Sequence, residues 1–285
     1  MNPACRICGS AGVPASWGGT TCKSCLSISA INLPTSDELA RFYERYTKEY
    51  HGGGRTRHAA QRQFRWAKCY LRKLSTYAPH AKSLIDVGSA NNPFPVIARD
   101  AGYMVTVADL NQPPDLPSDI RYISGSLNSA SEIYQSANGQ YDVVTAFAVL
   151  EHCPQPRVAA EALSRLCRQG GTIIVTMPQI GVFEDTYAMG RSNWFCPPEH
   201  LHLISEHGVR ALFEKQDCDL VAAKRLEINA VRWLMRYGVG FFESMLGWGL
   251  KKILPTYWKK ARENKIAYGQ GIALYVLRKK TKALS

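Results

Sequence analysis

No stretch of this 285-residue chain reaches the roughly 20 uncharged apolar residues that a membrane-spanning helix needs, so no span is expected to cross a bilayer. The first thirty residues are rich in Cys and Gly and lack the apolar core of a secretory leader, so a cytoplasmic protein is expected. Internal repeats are absent. Nine cysteines is an odd number, and four of them follow a metal spacing, which suits a reducing compartment better than a disulfide scaffold. Acidic residues are scarce at both ends. Residues 1–80 carry 12 Lys/Arg against 4 Asp/Glu and residues 226–285 carry 12 against 3, whereas residues 81–225 carry 11 against 16. Two basic ends therefore flank an acidic middle. Either end suits an anionic partner such as RNA, a phosphorylated carrier or an anionic lipid surface, or simply forms a solvated face.

The most informative stretch has a single glycine. Residues 84–92 run Leu-Ile-Asp-Val-Gly-Ser-Ala-Asn-Asn: an apolar strand ends at Asp86, turns at Gly88 and enters a helix near Asn92-Pro93. A second apolar run, Tyr103 to Ala108, ends in Asp109. This layout builds a nucleoside site at the carboxyl ends of parallel strands, with the second acid placed to accept from ribose hydroxyls. A dinucleotide fingerprint needs Gly-x-Gly-x-x-Gly so that backbone can touch a pyrophosphate. Ala90 and Pro93 stand at the second and third glycine positions. S-adenosylmethionine (SAM) has no pyrophosphate and fits better. A NAD-type ligand, or a strand-turn-helix without a ligand, stays open on these residues alone.

Residues 141–156 read Tyr-Asp-Val-Val-Thr-Ala-Phe-Ala-Val-Leu-Glu-His-Cys-Pro-Gln-Pro, and Gly170-Gly171 then leads into the apolar run Thr172 to Thr176 before Met177-Pro178. Over roughly residues 80–225 this series resembles the class I SAM-dependent methyltransferases, in their ubiquinone/sugar-methyltransferase-like branch. The resemblance implies an α/β, Rossmann-like, doubly wound sheet of seven strands, with the last strand antiparallel between its neighbours. It implies SAM as cofactor, held by Asp86, Gly88, Ser89, Ala90, Asn91 and Asp109, with Leu110, Ser126 and Phe147 completing the set. Ser126 stands where the family often has an acid after its third strand.

Cys5-Arg-Ile-Cys8 and Cys22-Lys-Ser-Cys25 are two C-x-x-C knuckles thirteen residues apart. Each knuckle places two thiolates on one ion, and two knuckles close a tetrahedral structural zinc site. So small a segment has little core, and the metal would supply much of its folding energy. Residues 1–33 are read as this zinc ribbon, 34–80 as a helical linker and 81–285 as the methyltransferase domain. In the linker, Thr35 or Ser36 caps a helix over Asp37-Glu38. Its aromatics, Phe42, Tyr43, Tyr46 and Tyr50, dock the ribbon or meet substrate. Gly52 to Gly54 form a hinge into a basic helix over about 57–76. Strands are expected near 83–87, 104–108, 121–124, 142–147, 172–177, 218–226 and 270–279, and helices near 93–101, 156–168 and 206–215, a series that folds as a parallel sheet covered on both faces.

Methyl transfer is an in-line displacement in which positioning supplies much of the rate. A base is needed only where the nucleophile must lose a proton. Candidates sit after strands four and five. Glu151 and His152 follow the fourth. After the fifth comes Asn193 to His202, whose Pro-Pro-Glu-His-Leu-His resembles a stretch of zinc-ribbon sugar methyltransferases. His200 is the first choice for a base or acceptor ligand and His152 the second, with a loop-buttressing role as the plain alternative. Glu151, His152 and His200 are also metal-ligand types, although Ala148 stands where a companion carboxylate is expected. Residues 228–261 place Ile228, Val231, Met235, Val239, Phe242 and Leu246 at helical spacing. This insertion, extending to about 265, reads as a lid, a homodimer surface or a peripheral contact with the inner membrane face. Together these readings point to a methyltransferase acting on a small or carrier-linked sugar. rRNA or tRNA methylation, and a non-catalytic SAM-fold protein that recruits RNA or a partner, are the alternatives.

Overall fold

The computed structural model of the chain describes residues 4–14, 19–46, 57–127, 133, 140–178, 195–226 and 272–281. The Gly52–Gly54 hinge and the 228–265 insertion lie outside the described residues. The chain opens with three short strands, β1 (Gly12–Pro14), β2 (Gly19–Cys22) and β3 (Ile28–Ala30), paired antiparallel in that order. Helix α1 (Ser36–Tyr46) follows. Thr35 rather than Ser36 caps it. The Glu38 N–H donates to the Thr35 hydroxyl at 3.3 Å, while the Glu38 carboxylate accepts the Thr35 N–H at 2.7 Å. This reciprocal box satisfies two otherwise orphaned groups at the helix start.

Helix α2 (Arg57–Tyr77) leads to an alternating series: β4 (Ser83–Val87), α3 (Phe94–Asp100), β5 (Met104–Asp109), β6 (Arg121–Ser124), β7 (Tyr141–Phe147), α4 (Pro156–Leu166) and β8 (Cys167–Pro178). A two-residue strand, β9 (His202–Leu203), then precedes α5 (Glu206–Phe213), β10 (Cys218–Leu226) and β11 (Ile272–Lys279). The large sheet has seven strands in the order β10-β11-β8-β7-β4-β5-β6. Strands β8, β7, β4, β5 and β6 are mutually parallel, and β11 is antiparallel to both β8 and β10. The expected doubly wound sheet with its antiparallel last strand is therefore present.

Alternation along the strands divides the core. Leu84, Val105, Val107, Val143 and Ile174 meet Leu74 of α2 and Phe94 of α3 on one face. Ile85, Val87, Val144, Ile173 and Val175 meet Leu163 of α4 and Phe213 of α5 on the other. Burial on both faces explains why these strands read as continuous Val/Ile runs. The ribbon residues Cys5, Ile7, Cys22 and Cys25 belong to the second of these cores. The ribbon is therefore packed against the catalytic sheet and is not a tethered bead.

Strand β8 begins five residues earlier than the sequence suggests. Cys167 pairs with Tyr141, and the ladder shifts register before Val143 meets Thr172. Gly170, at φ 70°, and Gly171 sit within that irregularity instead of forming a separate turn. Helix α4 accordingly ends at Leu166.

Asp142 fastens the far end of the sheet. One carboxylate oxygen accepts the Lys82 and Ser83 N–H groups at 2.8 and 2.9 Å, and the other accepts from Arg168 Nε at 2.5 Å. Burial raises its pKa, but the Ser83 and Lys82 N–H groups and Arg168 outweigh that and hold it well below the usual carboxylate range. Its contribution is full above the unfolded value of about 3.9 and is lost as the pH falls towards the lower folded value. Asp142→Ala should destabilise the fold by about 1–3 kcal/mol, because two N–H groups lose their acceptor. At about 2–4 °C per kcal/mol the lowered midpoint is readable by calorimetry. The acid-induced part of the loss should shrink in the variant, and an unchanged midpoint at pH 7 would remove Asp142 from the fold's supports.

Candidate functional site

The carboxyl ends of β4, β5 and β6 meet at one edge of the sheet. Gly88 takes φ 70° and Ala90 φ 46°, both in the left-handed region. A Cβ on Gly88 would come within 2.6 Å of Val149 Cγ2, so the turn passes against the loop after β7 only because the residue is glycine. The Ala90 N–H donates to Asp109 Oδ2 at 2.8 Å, and the Asn111 N–H to Oδ1 at 3.3 Å. The acid after β5 thus holds the glycine turn after β4, a contact that strand patterns do not disclose. Gly125 N–H donates to the Asp109 carbonyl at 3.1 Å, which brings Ser126 to the same edge. Leu110, 52% exposed, stands beside it. Asn92 Oδ1 accepts the Phe94 N–H at 3.0 Å and starts α3.

Asp86 lies beneath this turn, 1% exposed, with the Thr145 hydroxyl donating to it at 2.5 Å. Burial pushes its pKa up to about 7, against the lowering effect of the Thr145 hydrogen bond, and Asp109 adds to the rise. Asp86, Gly88, Ser89, Ala90, Asn91, Asp109, Leu110 and Ser126 therefore share one end of the sheet. Phe147 ends β7 nearby, but its ring is packed at 4.0 Å on Tyr70 and at 4.9 Å edge-on to Phe94. Tyr70 is buried, and its pKa is pushed up to about 12, first by burial, with Glu151 and Asp86 among the charges that add to it. In the sequence Tyr70 reads only as an apolar residue of the 57–76 helix that packs on the sheet.

The ribbon places the Sγ atoms of Cys5, Cys8, Cys22 and Cys25 within 4.8 Å of one another. Cys5 and Cys25 are 3.7 Å apart and Cys8 and Cys22 3.4 Å. A tetrahedron with zinc–sulfur bonds of about 2.3 Å has edges of about 3.8 Å, so the four sulfurs fit one such ion. The hydrogen bond between Cys5 and Cys25 lowers the first thiol and raises the second.

A second cluster lies beyond β7. Ala148, at φ 56°, turns the chain into a short 3-10 helix, Leu150–His152. Here Glu151, His152 and His200 bring their ligand atoms within 4.8 Å of one another. The two imidazoles meet at 4.7 Å between ring centres, and Tyr43 of α1 is edge-on to His152 at 6.5 Å. His152 Nδ1 lies 2.8 Å from the Glu199 carbonyl and must donate to it, which leaves Nε2 as the ring's lone-pair atom. Burial, and then His200, lowers its pKa to about 4. Glu151 is fully buried, neither of its carboxylate oxygens has a hydrogen-bond partner among the described residues, and burial pushes it up to about 8.

His200 reaches this cluster through the ribbon, a link the sequence does not show. The Ile28 to Ala30 strand pairs with β9, so the ribbon sheet has four strands, one drawn from the catalytic domain. Leu201 N–H donates to the Glu151 carbonyl at 2.8 Å, and the Leu201 carbonyl accepts the Ala30 N–H at the same distance. His202 lies fully buried between the two parts: Nδ1 meets the Ser29 hydroxyl at 2.9 Å and Nε2 the Cys153 carbonyl at 3.0 Å. Ser205 donates from its hydroxyl to the Cys25 carbonyl and from its N–H to Ser27 Oγ. Arg157 of α4 reaches the Ile7 and Cys5 carbonyls at 3.1 and 2.7 Å. Gly208 is required by the same contact, since a Cβ there would fall 2.3 Å from Ser27 Oγ.

The sequence profile described as a methyltransferase domain matches residues 58–223, more than half of the chain, with the glycine turn, Asp109, Glu151, His152 and His200 inside it and the ribbon outside. The chain belongs to this family. Its fold is that of the class I, SAM-dependent methyltransferases. Ubiquinone biosynthesis O-methyltransferases resemble the methyltransferase in sequence. That of Thiobacillus denitrificans is 32% identical over 110 residues, covering 36% of this chain and 47% of the relative. That of Erwinia tasmaniensis is 29% identical over 112 residues, covering 35% and 46%. The chain thus spans about half the length of the curated relatives it matches. In structure, the Burkholderia thailandensis 1,6-didemethyltoxoflavin-N1-methyltransferase, solved with its substrate and S-adenosylhomocysteine, superposes with a TM-score of 0.56 at 14% identity, over 90% of this chain and 96% of that one. The [4+2]-cyclase SpnF superposes with a TM-score of 0.54 at 17% identity, over 87% and 97%. At such identities the likeness shows the fold alone, and a cyclase among the neighbours illustrates that fold does not fix chemistry.

Proposed function

We propose that this methyltransferase moves the methyl group of SAM to a hydroxyl oxygen of a sugar, free or carried on a nucleotide or lipid, and that its four ribbon thiolates hold a structural zinc ion. The observation that carries the reading is the gathering of Glu151, His152 and His200 beyond β7, beside the turn in which Gly88 passes Val149. The first place offers groups for a hydroxyl and its proton. The second offers backbone and Asp109 to a nucleoside. Relatives named O-methyltransferases support a hydroxyl acceptor, and the Pro197-to-His202 stretch supports a sugar by its resemblance. In the transfer the acceptor oxygen attacks the methyl carbon in line with sulfur. The S–C bond breaks with its electron pair left on sulfur, S-adenosylhomocysteine departs, and the hydroxyl loses its proton to solvent beside the Glu151, His152 and His200 cluster. Much of the rate comes from alignment.

Asp109→Ala should weaken S-adenosylhomocysteine binding by about 1–3 kcal/mol, through loss of charge-assisted bonds to ribose and of the tie to the Ala90 N–H. Calorimetry showing equal affinities would take Asp109 out of the site. Tight NADH binding would defeat the SAM reading itself. For the acceptor, tritium-labelled SAM and a cell extract fractionated into glycan, lipid, RNA and protein provide the test. Label in soluble or lipid-linked glycan supports the sugar, and label confined to RNA replaces it.

A further inference from the structure

Glu151 presents an unusual problem. Its carboxylate is fully buried, and neither oxygen has a hydrogen-bond partner among the described residues. A buried charge left in this way is expensive, and such groups are normally neutralised, paired or bound to a cation. Arg and Lys do not supply the partner, since Glu151 enters no ion pair among the described residues. Two imidazoles do stand beside it, and imidazole nitrogen is a metal donor when neutral. His152 is fixed as one: the Glu199 carbonyl takes the Nδ1 proton, so Nε2 presents its lone pair. A ring held through its other nitrogen by a carbonyl is the outer-shell arrangement of metal-bound histidines.

We propose that Glu151, His152 and His200 form a binding site for a divalent cation, of the Mn²⁺, Co²⁺ or Zn²⁺ type, separate from the ribbon's four sulfurs. The geometry supports it in three ways. The three donor atoms lie within 4.8 Å of one another, so small side-chain rotations bring them onto one ion at about 2.0–2.2 Å from each, where ligand atoms stand at most about 4.4 Å apart. Two nitrogens and one carboxylate oxygen suit a transition-series ion better than Mg²⁺ or Ca²⁺, which prefer oxygen. Three protein ligands also leave positions open, as in catalytic sites and unlike the closed Cys₄ set. An ion here neutralises Glu151 and offers those open positions to acceptor oxygens. Its chemical use rests on the hydroxyl-acceptor reading above: a cation-bound hydroxyl is more acidic, its proton is released to solvent, and the resulting oxyanion is the nucleophile. His152 and His200 then act as ligands, not as bases.

The test uses the full chain with its ribbon zinc in place. Mn²⁺ is titrated in and free Mn²⁺ is read by electron paramagnetic resonance. Thiolates do not favour this ion, so the ribbon should not compete for it. One saturable Mn²⁺ per chain is expected. Glu151→Gln and His200→Ala should each weaken it by at least about tenfold, since even outer-shell changes cost metal sites about 10–100-fold. Retained S-adenosylhomocysteine binding will show that the variants are folded. Co²⁺ gives a second signature on the wild-type chain that needs no variant: weak visible bands of a nitrogen/oxygen site, without the intense sulfur-to-metal absorption of a Cys₄ site. Absence of any saturable ion beyond one zinc per chain, with Mn²⁺, Co²⁺ and Zn²⁺ all tried, overturns the proposal. So does Mn²⁺ binding that both variants keep at full strength. Because the readout is ion binding, it is separable from the acceptor reading: a bound ion without methylated glycan sinks only the latter, and metal-independent sugar methylation without a bound ion sinks only this site.

Discussion

Cys22→Ser together with Cys25→Ser should remove zinc entirely and, with it, at least about 10² in kcat, while S-adenosylhomocysteine affinity stays within about threefold. The metal loss follows from the sulfur cluster, in which every cysteine of the two knuckles is within 4.8 Å of the others. Structural zinc sites hold about 10–16 kcal/mol, and a ribbon with this little core does not survive without it. The loss of turnover follows from the seam. β3 pairs with β9, His202 bridges Ser29 and Cys153, and Ser205 is bonded to Cys25 and Ser27. His200 lies two residues before His202, so a melted ribbon releases it from Glu151 and His152. A displacement of about 1 Å at a reacting group can cost about 10² in rate. Cofactor affinity should hold because the glycine turn and Asp109 lie on β4 and β5, which contribute no strand to the ribbon sheet. Elemental analysis, calorimetry and turnover on one preparation decide it. A zinc-free variant with full turnover would show that the ribbon does not position His200. By contrast, serine at Cys69, Cys153, Cys167, Cys196 or Cys218 should leave zinc content unchanged.

His200→Ala should lower kcat by about 10²–10⁴, the usual worth of a positioned acid–base or ligand group, with cofactor affinity again within about threefold. His200 is 6% exposed and packs its ring 4.7 Å from that of His152. It stands on the segment after β8, whereas the residues assigned to the cofactor stand after β4, β5 and β6. The effect should therefore fall on the chemical step, read as a drop in single-turnover rate with bound SAM. His200→Gln, which keeps polarity but loses the imidazole, separates chemistry from packing: it should be as slow as alanine while melting closer to wild type. A variant with full turnover would leave His200 as a buttress of the loop.

Much of the large sheet was legible because its signals are local. Strands of Val and Ile ending in Asp86 and Asp109 are short-range patterns, and β4 and β6 begin and end where those patterns do. The cysteine knuckles are equally local, and their spacing alone anticipates the sulfur cluster. The start of β8 was misplaced because Gly170-Gly171 resembles a turn. Pairing with Tyr141 from another strand overrides that preference and absorbs the glycines as an irregularity. Tyr70 read as a packing residue, since nothing in a helical period reveals that its ring will stack on Phe147 and sit near two buried acids.

The sequence by itself determined the α/β fold, the glycine turn after β4 and the acid that ends β5, the Cys₄ cluster, and the residue types gathered at Glu151, His152 and His200. These depend on chain geometry over a few residues: strand period, left-handed turns and knuckle spacing. Only the tertiary structure decided that the ribbon and the catalytic domain share a sheet, that Asp109 holds the Ala90 N–H, and that Glu151 is buried beside two imidazoles without a hydrogen-bond partner among the described residues. Ile28 and Leu203 are 175 positions apart, Ala90 and Asp109 19, and Glu151 and His200 49. Such contacts are set by which strand packs beside which, and by the burial that follows. No local preference of Glu151, His200 or Ser205 encodes them.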